Sequence, residues 1–284
     1  MPNNDQNKIK KEKALPAKKR IFITGGASGL GKAIAFKYAA QGYKVCIGDI
    51  HQKRAEDTIT ELKALGTDAF FQRCDTRHLE DIEQAKNELI VRWGGVDIVI
   101  NNAGIAGTAG PIEKVPLDDW QTVLDINLMG VVRGCIAFTP LFKLQGFGYF
   151  VNIASAAGLI NAPQMSGYNA SKAGVISLSE TLNFELEKDN IGISVVCPAF
   201  FKTNLTESLK STEKGVVEKV AYVMAHSAIT ADDIAIDIFN AVKNKDFWVL
   251  PHKQERRLWL VKRYFPRYFN HMIKKQMNKL FSSN

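Results

Sequence analysis

The 284-residue chain is 46% hydrophobic and 23% charged, enough apolar material for one sizeable core, with no composition break to divide it in two. Its net charge of +8 resides at the ends: residues 1–20 hold seven basic and two acidic groups, residues 252–284 nine and one, and the body between them twenty-one against twenty-six. An acidic body excludes the basic stripe that nucleic acid binding needs, and neither a cleavable leader nor a run of eighteen apolar residues points to secretion or a membrane span. Cys46, Cys74, Cys135 and Cys197 are scattered without C-x-x-C or metal-ligand spacing, so they read as reduced core thiols of a cytoplasmic protein that needs no metal.

In chain order, residues 1–19 form a lysine-rich arm. From Arg20 to Pro251, short β-branched or aromatic runs alternate with helix-length segments, the pattern of a parallel sheet covered on both faces. Strands are predicted at Arg20–Thr24, Lys44–Asp49, Ala69–Cys74, Val96–Asn101, Tyr149–Ala154, Ile191–Cys197 and Phe247–Leu250. Helices are predicted at Gly29–Gln41, Gln52–Leu65, Leu79–Trp93, Leu117–Gln145, Gly167–Lys188 and Ala231–Lys243. Right-handed crossovers in such a series give a single doubly wound α/β domain of about seven strands, a Rossmann fold with its crevice at the carboxyl ends of the strands.

Two features carry chemistry. Thr24, Gly25, Ser28, Gly29, Leu30 and Gly31 form the turn between the first strand and the first helix, where backbone without Cβ atoms lets N–H groups approach a pyrophosphate. Asp49 ends the second strand, placed to accept from both hydroxyls of an adenosine ribose and to repel a 2′-phosphate, which favours NAD over NADP. Lys53 and Arg54 follow closely and could meet such a phosphate instead. Asp75 and Thr76, past the third strand, are placed for the adenine edge, with helix capping by Asp75 as the alternative. Downstream, Tyr168-x-x-x-Lys172 spans about 400° of helix rotation and roughly 6 Å of rise, so phenol and ammonium share a face. A neighbouring cation would draw the phenol's pKa down from about 10 and make Tyr168 a general acid or base.

With Asn101-Asn102-Ala103-Gly104, Asn127 and Ser155 added, these residues resemble the short-chain dehydrogenase/reductase family over about residues 20–250. The resemblance implies a dimeric or tetrameric Rossmann enzyme that moves hydride between nicotinamide C4 and an alcohol or carbonyl carbon. It implies that Tyr168 exchanges the hydroxyl proton while Lys172 holds the nicotinamide ribose and acidifies Tyr168. Ser155 would bind the substrate oxygen, and Asn127 would keep a water in line with Lys172. Asn102, Ala103 and Gly104 would line the adenosine side, and Pro198 and Thr203 the nicotinamide carboxamide. The family's Pro-Gly after the sixth strand is replaced here by Pro198-Ala199, a change that a negative φ accommodates.

The family's substrate lid falls on residues 199–230, where Phe200, Phe201, Leu205, Leu209, Val220 and Met224 imply a lipophilic substrate. The alternatives are an NADP(H)-linked reductase of fatty aldehydes or acyl groups and, in another class, a cofactor-sensing regulatory protein. Residues 252–284 add a basic extension in which Phe269, Met272, Ile273, Gln276, Met277, Leu280 and Phe281 recur at helical spacing, with Lys274, Lys275, Asn278 and Lys279 turned elsewhere. Pro266 separates that helix from an earlier stretch rich in Arg, Lys and aromatic residues. Two uses stand side by side: peripheral contact with an anionic membrane, or packing on the domain or a sister subunit.

Overall fold

The computed structural model describes residues 19–281, with side chains to residue 275. The expected arm up to residue 18, and the side chains of Gln276, Met277, Asn278, Lys279, Leu280 and Phe281, lie outside the described residues. The elements run β1 (Arg20–Thr24), α1 (Gly29–Ala39), β2 (Lys44–Asp49), α2 (Gln52–Ala64), β3 (Ala69–Arg73), α3 (Leu79–Trp93), β4 (Ile98–Asn101), β5 (Gly107–Ala109), α4 (Leu117–Leu124) and α5 (Gly130–Gln145). Then follow β6 (Gly148–Ile153), α6 (Ala157–Ile160), α7 (Ser166–Glu185), β7 (Ile191–Val196), β8 (Leu209–Ser211), α8 (Val216–Ala225), α9 (Ala231–Asn244), β9 (Trp248–Val249), α10 (Lys253–Tyr264) and α11 (Pro266–Phe281).

Seven strands form one parallel sheet in the order β3-β2-β1-β4-β6-β7-β9. The strands read as near-continuous apolar runs because both faces are covered. One face packs Ile34, Leu62 and Ile238 from α1, α2 and α9 on Ile21, Ile23 and Val45; the other packs Leu89, Phe138 and Val175 from α3, α5 and α7 on Phe22, Val99 and Phe150. Strand order reverses where β1 lies between β2 and β4, the switch point at which such sheets open a crevice. Arg20 and Asp97, both buried, pin β1 to the entry of β4 through bonds of 2.7 and 3.0 Å.

Predicted and observed elements differ in informative places. The helix expected to run unbroken through Leu117–Gln145 contains a π-turn at Asp125–Met129. Its cause is a tertiary contact: Asn127 turns inward to exchange bonds with the Ile105 backbone of the loop after β4, and the ladder widens to let it. This stretch is long and apolar enough to cross a membrane, the one such stretch among the described residues. Val131, Cys135, Phe138 and Phe142 are nevertheless buried in the core. A second, two-stranded parallel sheet, β5 with β8, joins the loop after β4 to the lid. Pro266 opens α11 as its first residue, where a missing N–H costs nothing.

Candidate active site

Two cavities meet at the carboxyl ends of the strands. The first, about 300 Å³, is a cleft bounded by the turn after β1, the loop after β4, and Lys172 of α7. The second, about 260 Å³, is bounded by Ser155, the residues after β7, the lid and α10. Tyr168, Pro198, Phe201, Thr203 and Leu205 line both.

The cleft floor is braced by a small bond network. Thr24 Oγ1 accepts from the amides of Asn102 (3.0 Å) and Ala103 (3.1 Å), while Asn102 Nδ2 donates to the carbonyls of Thr24 (2.9 Å) and Gly25 (3.0 Å). A Cβ on Gly31 would lie 2.2 Å from the Gly25 carbonyl oxygen, so only glycine lets α1 seat against this turn. Gly29 has φ +52°, and a Cβ there would stand 2.7 Å from Thr203 Oγ1, which places Thr203 over the start of α1. Ser28 caps α1 without a side-chain bond, so the first-turn amides have no side-chain acceptor. Gly25, Ser28 and Leu30 face the cleft. A positive helix end with backbone approach on one side fits a pyrophosphate.

Asp49 is buried at the end of β2, where Oδ2 accepts from the Ala27 amide (3.0 Å) and Oδ1 from the His51 amide (2.9 Å). It thus holds the turn, two of its four acceptor sites are spoken for, and it does not itself line the cleft. Arg54 forms a two-bond ion pair with Glu207 of the lid (2.9 and 3.2 Å), and Lys53 pairs with Asp57. Asp75 is committed to Arg77, whose guanidinium holds its carboxyl below the usual range, and Thr76 packs beneath Gly130 at the start of α5. For Asp75 the local turn, rather than the cleft, takes up the side chain. Neither it nor Thr76 lines the cleft.

On the chemical side, α7 presents Tyr168 and Lys172 one turn apart, with Lys172 Nζ 5.8 Å from the Tyr168 ring centre. Nζ donates to the Ile153 carbonyl at 2.8 Å. Ser155 Oγ donates to the Pro198 carbonyl (3.2 Å) and accepts from the Ala157 amide (3.1 Å), and it stands near enough to the Tyr168 phenol to favour its ionised form. Gly104 leaves room between Asn127 and Lys172: a Cβ there would stand 3.2 Å from Asn127 Oδ1 and 3.5 Å from Lys172 Nζ. Asn127 is fully buried, its side chain bonded to Ile105 O and N and to Ser171 Oγ. Ala199 has no positive φ.

One expectation is reversed. Tyr168 is not acidified: burial pushes its phenol above the ordinary tyrosine range, with the nearby Ser155 hydroxyl acting the other way. Burial also lowers Lys172 to about 8, Cys197 opposing. A shared apolar setting penalises both ionised forms and outweighs the attraction expected between them. The lysine therefore becomes the group that sheds its proton first.

Sequence reasoning overlooked His51, Ile105 and Glu207 in the cleft, and Glu255 and Leu258 of α10 in the second cavity. The only signal for the last two was their place in an extension that also carried an apolar pattern. That extension docks on the body. His252 Nδ1 accepts from the Ala199 amide (3.2 Å) while Nε2 stands 3.1 Å from the Phe200 carbonyl. Trp259 lies 5.2 Å from Trp248, ring to ring, and Lys262 Nζ donates to the Leu159 carbonyl at 2.6 Å.

The family model for short chain dehydrogenase matches residues 19–214. The chain belongs to that family. It is a Rossmann-fold, NAD-binding-type oxidoreductase, and its likenesses span both nicotinamide nucleotides. This short-chain dehydrogenase is 34% identical over 216 residues to cyclohexanol dehydrogenase of Acinetobacter sp. (strain SE19), covering 73% of this chain and 86% of that one. It superposes on a short-chain dehydrogenase/reductase from Burkholderia phymatum in complex with NAD at TM-score 0.82 and 29% identity, covering 86% and 92%. An alcohol dehydrogenase from the archaeon Thermococcus sibiricus complexed with 5-hydroxy-NADP is similar at TM-score 0.70 and 26% identity, covering 82% and 95%.

Proposed function

We propose that this short-chain dehydrogenase interconverts a lipophilic secondary alcohol and its ketone with NAD, Tyr168 serving as general acid and base. The carrying observation is that Tyr168 lies on both cavities, with Ser155 on the second beside it and Lys172 one turn along. When bound in the cleft, the nicotinamide supplies or accepts the hydride. Ser155 orients the substrate oxygen toward the phenol, Tyr168 gives or takes the hydroxyl proton, and Lys172 exchanges that proton onward. Asn127 and the Gly104 gap keep the approach to Lys172 open. The NAD preference is supported by Asp49 at the end of β2 and by Arg54 and Lys53 being engaged with carboxylates. The apolar cavity and the likeness to cyclohexanol dehydrogenase support the substrate class.

A panel of lipophilic secondary alcohols and ketones, followed by reduced-nicotinamide absorbance with each nucleotide, tests this. Turnover with NAD at much lower concentration than NADP is expected. Turnover with NADP alone would favour the reductase alternative, and nucleotide binding without any turnover would favour the sensor.

The same reading extends to a homodimer or homotetramer, and to anionic lipid contact through 252–284. Leu260, Tyr264, Phe265 and Tyr268 are exposed beside Arg256, Arg257, Arg263 and Arg267, which suits a headgroup zone. Phe269, Met272 and Ile273, by contrast, are buried or half-buried, so the described part of the apolar stripe is turned inward. Co-sedimentation with anionic vesicles that weakens with salt is expected; equal pelleting with neutral vesicles would sink the lipid contact.

A further inference from the structure

The second cavity is walled partly by a segment beyond the family match, which ends at residue 214. Glu255, in the first turn of α10, lines it, and every other lining residue is uncharged. Glu255 is also the one acid among residues 252–284, against nine bases. A carboxylate is favoured near a helix start, which accounts for an acid at this position but not for what it faces. Among the described residues it forms no hydrogen bond or ion pair, and it does not cap its own helix.

Its position is well fixed. Three residues earlier, His252 clamps the Ala199–Phe200 backbone, whose residues also line the cavity; four residues later, Trp259 packs on Trp248. Lys262 then bonds the Leu159 carbonyl in α6, the helix that contributes Ile160 to the same wall. An unpaired carboxylate beside apolar surface attracts a donor or a cation and repels an anion, and low-dielectric walls strengthen both effects.

We propose that Glu255 is a specificity-determining residue of this cavity. It selects lipophilic alcohols and ketones that carry a second, hydrogen-bond-donating group, a hydroxyl or an ammonium, and it rejects those that carry a carboxylate. The inference rests on the oxidoreductase reading above and adds the identity of the substrate's second polar group.

The test uses the full chain and four matched ketones that differ only in a terminal methyl, hydroxyl, ammonium or carboxylate, with kcat/KM measured for wild type, Glu255→Gln and Glu255→Lys. Wild type should prefer the ammonium or hydroxyl ketone to the carboxylate ketone by about tenfold or more. Glu255→Gln should erase the ammonium-to-carboxylate preference, and Glu255→Lys should reverse it, with KM for the nucleotide nearly unchanged. A wild type indifferent to the terminal group, or an order that survives both substitutions, overturns the role of Glu255 while leaving the oxidoreductase reading intact. Failure of all four ketones with either nucleotide overturns that reading and the inference together.

Discussion

The cleft and the apolar cavity share Tyr168 but are built by opposite means. The cleft is held by short polar bonds among residues close to strand ends, such as Thr24 to Asn102 and Asp49 to Ala27. The cavity is assembled by apolar packing of segments far apart in sequence, from Ala106 through the lid to Leu258. Polar bonds fix a geometry that one kind of ligand can use, whereas apolar walls fix only a volume and leave selection to the few polar groups on them.

The sharpest way to break this division is at the shared residue. Tyr168→Phe should lower kcat by about 10²–10⁴-fold, the range for a lost general acid or base, while nucleotide affinity by titration stays within a few-fold. A parallel loss of affinity would show that the phenol builds the cleft rather than serving both halves. Lys172→Met comes next, with a loss of about 10²-fold. Because burial lowers Lys172 to about 8, alcohol oxidation in the wild type, which needs a group ready to accept a proton, should rise with pH through that region and level off above it. Ketone reduction should fall over the same interval. In Lys172→Met the rising limb should move to higher pH, where Tyr168 alone governs it, since burial raises the phenol.

These effects centre on residues that the sequence already displayed. Tyr168, Lys172 and the glycine turn were legible because their meaning lies in local spacing: one helical turn, or one strand-to-helix bend. The sheet was legible for the same reason, through period and length. The strands β5 and β8, three residues each, carry no readable period, and the π-turn depends on Asn127 meeting Ile105 from a distant loop. The sign of the Tyr168 shift depends on burial, which no spacing reveals. The docking of α10 was hidden because a basic amphipathic helix has the same pattern whether its inner face meets protein or lipid.

Smaller effects sharpen the comparison from the cavity side. His252→Ala should raise substrate KM by about tenfold, because the Ala199–Phe200 wall loses its clamp, while KM for the nucleotide changes little; equal changes in both would show that α10 supports the cleft too. Arg54→Ala should do least, leaving lid stability and NAD affinity nearly unchanged, since the Arg54–Glu207 pair is about half-exposed and screened. A large loss of NADP affinity there would instead show that Arg54 leaves Glu207 to meet a 2′-phosphate.

The central claim is that one phenol serves hydride exchange between the two cavities. Incubating wild type and Tyr168→Phe with NAD and lipophilic secondary alcohols deuterated at the carbinol carbon, then reading the reduced nucleotide by mass spectrometry, tests it most directly. Deuterium on the nicotinamide ring with wild type, and little or none with Tyr168→Phe at matched nucleotide occupancy, is expected. Equal label from both proteins, or none from wild type although nucleotide is bound, would contradict it.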